Sequence, residues 1–276
     1  MATKYLVKGA TAFDAAAWGG SAMAATDDFI IEHSFGTITG AALDQSGIVG
    51  GFESMLISTN ASGTIGGGSA GAFIADFDNS ADAYLSNRGS VTLYYNAGGD
   101  STTCKNFDCG GKSVNYILGG TIEVTTMDGG YFEANSSTAL TTGFYQSAGI
   151  SKIEYKSDQI VLFDMSGGQS TLKRMPTTAN ISGGRIELDI DDAETMTSTA
   201  LNVSGNATVE LKAGAIPTIV VKGGVLDLSK ARRPIDLSGS SITVSGGRIV
   251  ESPIVTLPTI TYVGALKRNI GGPTPI

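Results

Sequence analysis

Four carboxylates, Glu187, Glu210, Asp227 and Glu251, follow glycines at nearly constant offsets in the second half of this 276-residue chain. Glu187 and Asp227 stand at the same offset, and Glu210 and Glu251 one place later. If the segments bearing them are stacked, the acids form a column on an outer face. Carboxylate pairs about 5 to 9.5 Å apart are what glycosidic cleavage requires, and one or two stacked turns supply that separation. Lys212 and Arg248 alternate with the acids, and outward charges are also what any solvated strand carries.

The remaining candidates for chemistry are few. His33 is the only histidine, and Glu32-His33-Ser34 has no nucleophile elbow or second motif to complete a Ser-His-Asp arrangement. Asp189, Asp191, Asp192 and Glu194 could gather oxygen ligands for calcium, although the stretch lacks the glycine and closing Glu of an EF-hand loop. Cys104 and Cys109 have no second pair and no nearby His, which excludes a four-ligand zinc site. A local disulfide and two free thiols both remain open, free thiols being the default in a reducing compartment. The glycines at 63–71 are followed by neither Lys-Ser/Thr nor a helix, so they are not a phosphate loop. No catalytic residue, cofactor or resident metal is assigned, and a non-enzymatic role is expected.

What must position these residues is a repeat. Ile181-Ser182-Gly183-Gly184, Val203-Ser204-Gly205-Asn206, Val221-Lys222-Gly223-Gly224 and Val244-Ser245-Gly246-Gly247 place leading glycines 22, 18 and 23 residues apart. Apolar residues stand four and two positions before each: Ala179 and Ile181, Leu201 and Val203, Ile219 and Val221, Ile242 and Val244. Others follow at three and five: Ile186 and Leu188, Leu226 and Leu228, with Ile249 alone in the last copy and Val209 and Leu211 one residue late in the second. This period of two is the strand signature. A unit of this length cannot bury its own apolar face and must stack on its neighbours. Gly183, Gly205, Gly223 and Gly246 are the expected corners, where glycine supplies the positive φ of a turn that does not hairpin back. Ile260, Tyr262 and Gly264 form a weaker copy. Upstream, Phe163, Met165 and Gly167 fit the first half of the pattern and Ser170 spoils the second.

The expected fold is all-β: a short parallel β-helix, or β-solenoid, over residues 161–266, with an extended tail at 267–276. A Greek-key sandwich would not keep this register across 63 residues. Residues 1–160 read as an irregular β-rich region, with strands at Val91–Tyr95 and Thr121–Val124 and a flexible Gly/Ser/Ala loop at 57–83. Gly-Gly pairs at 110, 119 and 129 lie too close together to mark one corner and could mark alternate corners.

Glycine is 38 of 276 residues, about twice the usual ~7%, and the charged fraction is only 16%, so little helix is expected. A net charge of −8 opposes nucleic acid, whose affinity comes from Lys and Arg on phosphates. No stretch reaches the roughly 18 apolar residues of a membrane span. The N-terminus lacks the continuous apolar core of a signal peptide, and cytoplasmic synthesis is expected.

Residues 11–31 carry a resemblance. Phe13-Asp14, then Trp18-Gly19-Gly20, then Asp27-Asp28 leading into Phe29-Ile30-Ile31, resembles the opening of β-helical virion structural proteins of tailed bacteriophages. The glycine-rich repeat is similar to the same group. The resemblance implies a capsid decoration (cement) protein or a head or tail fibre, commonly a homotrimer. The expected location is the virion capsid surface and the expected partner the major capsid protein. Phe13, Trp18 and Phe29 are then candidates for capsid or subunit contact, Trp18 serving otherwise as a packing anchor. A receptor-binding fibre and, from another class, a polysaccharide-cleaving β-helix are the alternatives.

Overall fold

Glycine decides where this chain bends, and the interval between bends decides which side chains meet. The computed structural model describes residues 2–8, 10, 13, 18, 20, 24, 27–39, 43, 52–67, 71–75, 77, 83–96, 103–154, 160–190 and 199–264. Twenty-three strands occur among these residues, and the paired strands of the repeat run parallel. The chain divides into two units, Met1–Ile160 and Val161–Ile276. The parallel β-solenoid expected of the C-terminal half is present.

In the second unit the coils stack in two ladders, served by two separate strands in the earlier coils and by the single long strands Thr218–Asp227 and Ser241–Val250 in the later ones. Phe163, Ala179, Leu201, Ile219 and Ile242 form one inward row of the first ladder, and Met165, Ile181, Val203, Val221 and Val244 the other, Tyr262 following in register but exposed. The second ladder stacks Ser170, Ile186, Val209, Leu226 and Ile249. From Phe163 to Val244 the first-ladder side chains are at most 3% exposed, each large aliphatic one contributing roughly 1.5–3 kcal/mol by leaving water. The upstream half-copy at Phe163 and Met165 is a full coil of the stack. Ser170 does not break it: the residue keeps its place in register with Ile186 and is 3% exposed. The late second copy is also absorbed, because the extra residue is taken up at the Gly205-Asn206-Ala207 corner and Val209 still meets Ile186.

The corner glycines divide the work differently from the simple expectation. Positive φ falls on the second glycine of a pair, 76° at Gly184 and 72° at Gly247, and on Gly205 (57°) where Asn206 replaces that second glycine. The leading glycines are required by the coil beside them. A Cβ on Gly183 would lie 2.2 Å from the Ser166 carbonyl oxygen, one on Gly246 2.3 Å from that of Lys222, and one on Gly223 2.9 Å from the Gly205 nitrogen.

The first unit is also built from parallel coils, of unequal length. Asp28–Ile31, Ser54–Ile57, Tyr84–Asn87 and the later part of Thr103–Cys109 stack in succession. The long strands Gly120–Ala134 and Thr138–Ile153 then pair along most of their length. Gly110-Gly111 and Gly129-Gly130 share one corner, a Cβ on Gly129 meeting the Gly111 nitrogen at 2.9 Å. Gly119-Gly120 lies at the start of the next strand, so the pairs do alternate between corners. Part of 57–83 differs from the flexible loop expected. Ser62–Ile65 pairs with Ser34–Ile38 and Ser90–Asn96, and Phe73–Ile74 pairs with the end of Ser90–Asn96. Ile65 and Phe73 are fully buried, which offsets the entropy of ordering a glycine-rich segment. The expected tail at 267–276 lies outside the described residues.

Candidate functional site

The acid column exists, with different members. Because the second copy's extra residue is absorbed at its corner, Glu187 pairs in register with Glu210 and Glu210 with Asp227. Asp227 then meets Val250, which leaves Glu251 out of the row. Adjacent coils in such a ladder are about 4.8 Å apart, near the spacing of a carboxylate pair in a retaining glycosidase.

The row is tied into ion pairs across neighbouring coils. Arg185 Nη2 is 2.9 Å from Glu210 Oε1 and 3.4 Å from Glu187 Oε1, while Lys212 Nζ holds Glu187 Oε2. Glu210 is 5% exposed beneath these cations. Asp227 accepts from the Ser229 backbone N–H at 2.9 Å and its hydroxyl at 2.6 Å. A general acid must hold its proton near neutral pH, which needs an apolar pocket or an unneutralised neighbouring acid. Cations lie against Glu187 and Glu210 instead.

Asp189 is similarly engaged. Lys173 Nζ lies 2.7 Å from Oδ2 and Arg232 pairs with Oδ1. Burial pushes its carboxyl up, and these two cations outweigh that, leaving it below the usual aspartate range. Asp191, Asp192 and Glu194 lie outside the described residues. Among the described residues no three His, Cys, Asp or Glu side chains gather as a metal site. His33 is exposed at the turn between Asp28–Ile31 and Ser34–Ile38.

Cys104 and Cys109 are buried thiols that form no disulfide with each other. Cys104 stacks against Ile122, and Cys109 falls between Asn87 and Met127 in an inward row. Burial pushes the Cys109 thiol up, helped by Asp108 and Asp128, which disfavours the reactive thiolate.

Phe13, Trp18 and Phe29 lie in the core of the first unit, 3%, 3% and 0% exposed. Their rings form one chain of contacts, 5.4 Å from Phe13 to Trp18 and 4.9 Å from Trp18 to Phe29, which continues to Phe52 at 5.0 Å. Trp18 is therefore a packing anchor. None of the three rings is presented on the surface as a capsid or subunit contact would need.

Sequence reasoning missed the cross-coil staples of the first unit. Arg88 holds Asp108 through Nε and Nη2, each at 2.7 Å, and Asp128 through Nη1 at 2.6 Å. Outside the next ladder Tyr94 stacks on Tyr116 at 4.9 Å with an interplanar angle of 14°. Outward tyrosines also stand at Tyr5, Tyr84 and Tyr145, 55%, 37% and 39% exposed. The signal of the Tyr94–Tyr116 pair, an aromatic residue at the same alternation in neighbouring strands, is visible only once the coil lengths are known. Compared with protein-family models, curated proteins and solved structures, the chain matches none.

Proposed function

We propose that this chain is a non-enzymatic structural β-solenoid, a trimeric capsid decoration protein of a tailed bacteriophage that binds the major capsid protein and stiffens the shell. The observation that carries the structural reading is the neutralised acid row: Glu187 and Glu210 are tied to Lys212 and Arg185 across neighbouring coils. Groups that could do chemistry instead hold one coil to the next. The virion assignment rests on the resemblance of residues 11–31 and the glycine-rich repeat. A rigid trimer would multiply modest contacts into firm attachment.

The test is to strip the protein from capsids and add it back. Rebinding in multiples of three, with capsids that then withstand more heat or osmotic shock, is the expected result. Failure to rebind, or unchanged capsid stability, rejects the decoration reading.

A second reading, a receptor-binding fibre, is favoured by the exposed rings of Tyr5, Tyr84 and Tyr145, since aromatic platforms are what receptor surfaces present. Isolated protein should then block infection of the host. Infection at undiminished efficiency in its presence excludes this reading.

A further inference from the structure

The first unit bears seven Lys and Arg against sixteen Asp and Glu, whereas the second bears eleven against ten. The chain's negative charge therefore resides in the first unit. On the outer face of that unit a groove of about 360 Å³ is lined by Thr3, Asp28, Ile30, Glu53, Ser54, Leu56 and Tyr84. Thr3, Asp28, Ser54 and Tyr84 follow one another across four neighbouring strands, with Ile30 and Leu56 in the next outward row. Its floor is aliphatic, its acids are two carboxylates, and the Tyr84 ring stands 37% exposed at one end. Among the described residues no lysine or arginine lines it. The nearby Lys4 is committed elsewhere, with Nζ 2.6 Å from Asp27 Oδ2. Asp28 accepts a hydrogen bond from the Ser54 hydroxyl at 2.5 Å, which aims the carboxylate without neutralising it.

We propose that this groove binds a lysine or arginine side chain presented by an extended segment of a partner protein. Three features select that class together. A long apolar stem ending in a cation lies its methylenes along Ile30 and Leu56. Its head reaches the Asp28 carboxylate, where a charge-assisted hydrogen bond forms, and passes beside an aromatic ring that attracts cations. The surplus of acids on the unit draws a basic segment toward it and repels an acidic one. The site goes beyond the structural reading above and stands whether or not the partner is a capsid.

The experiment uses the full chain and three fluorescent heptapeptides of alternating Ala and Xaa, in which Xaa is Arg, norleucine or Glu. Binding is followed by anisotropy at low and at physiological salt. The Arg peptide should bind, with affinity falling at least tenfold on Asp28→Asn and on Tyr84→Ala and falling again with salt. Both side chains point outward, and circular dichroism checks that the variants fold. No binding of the Arg peptide by the wild-type chain overturns the proposal. So does equal affinity for the norleucine peptide, or unchanged affinity in both variants. Displacement of the Arg peptide by a neutral hexose oligosaccharide, but not by free arginine amide, reassigns the groove to sugars and equally overturns it.

Discussion

Arg185 on one coil holds Glu210 on the next, the guanidinium 2.9 Å from a carboxylate that is almost wholly covered. The pair converts a place where three acids would repel one another into a tie along the stack.

Removing that tie should therefore cost stability rather than activity. Arg185→Met is expected to destabilise the fold by about 1 kcal/mol, a modest value because the Arg185 side chain is 51% exposed and solvent screens its charge. Glu210→Gln in the same background should restore part of the loss, since no buried charge is left unpaired. Urea unfolding of the two single variants and the double variant checks this. Additive effects would show that the pair is not coupled.

The corner glycines should be the least substitutable positions. Gly183→Ala drives a methyl to within 2.2 Å of the Ser166 carbonyl oxygen, and a loss of roughly 3 kcal/mol or more is expected where packing cannot relax. Gly239→Ala, with nothing within 4 Å, should change stability by less than about 0.5 kcal/mol. Thermal unfolding of both variants measures the contrast.

One buried hydroxyl works against the fold. Thr125 is 1% exposed and its Oγ1 has no hydrogen-bond partner, while its neighbours in the row are Phe107 and Phe144. Thr125→Val keeps the shape and removes the unmet polar group. It should raise stability by about 1 kcal/mol, visible as a higher urea midpoint at unchanged slope.

Acid should weaken the second unit through Asp189. Its carboxyl is held below the usual range by Lys173 and Arg232 in the face of burial. The resulting stability is present above the unfolded-state pKa near 3.9 and is lost as pH falls through the lower folded value. Lys173 and Arg232 are 42% and 60% exposed, so the contribution should be under about 1 kcal/mol. Asp189→Asn should lower stability at pH 7 and flatten its decline between pH 4 and pH 2, as followed by denaturant titration at each pH.

The two thiols give a direct probe of the core. Both are buried, so Ellman's reagent at pH 8 should label neither in the native chain and both in guanidinium. Rapid labelling of Cys109 in native protein would contradict its place between Asn87 and Met127.

The second unit was legible because nearly every inward position, Ser170 excepted, is occupied by the apolar residue type that its burial demands. Ile181, Val203, Val221 and Val244 share an offset from glycine, and that is enough to place one ladder. The acid row was harder to read, since offset counting set Glu210 beside Glu251. The corner at Asn206 takes up a residue and sets Glu210 beside Glu187. In the first unit the inward rows admit Asn87, Asn115, Thr125, Gln146 and Ser151, and these erase the apolar alternation a reader would follow. Asn87 is tied across coils, its Nδ2 donating to Asn115 Oδ1 at 2.7 Å, while Ser151 Oγ donates to Gln146 Oε1 of its own strand at 2.8 Å. A hydrogen bond between residues 28 positions apart leaves no trace in local pattern. The groove at Asp28 and Tyr84 was hidden for the same reason.

The close approach of backbone at Gly183, Gly223 and Gly246 has a consequence for what can be built on this molecule. Those positions are fixed by contact, whereas the outward row Thr178, Ala200, Thr218 and Ser241 faces away from every such constraint. The fold thereby offers a ruled page, its lines spaced about 4.8 Å apart, on which side chains can be rewritten one coil at a time without disturbing the binding.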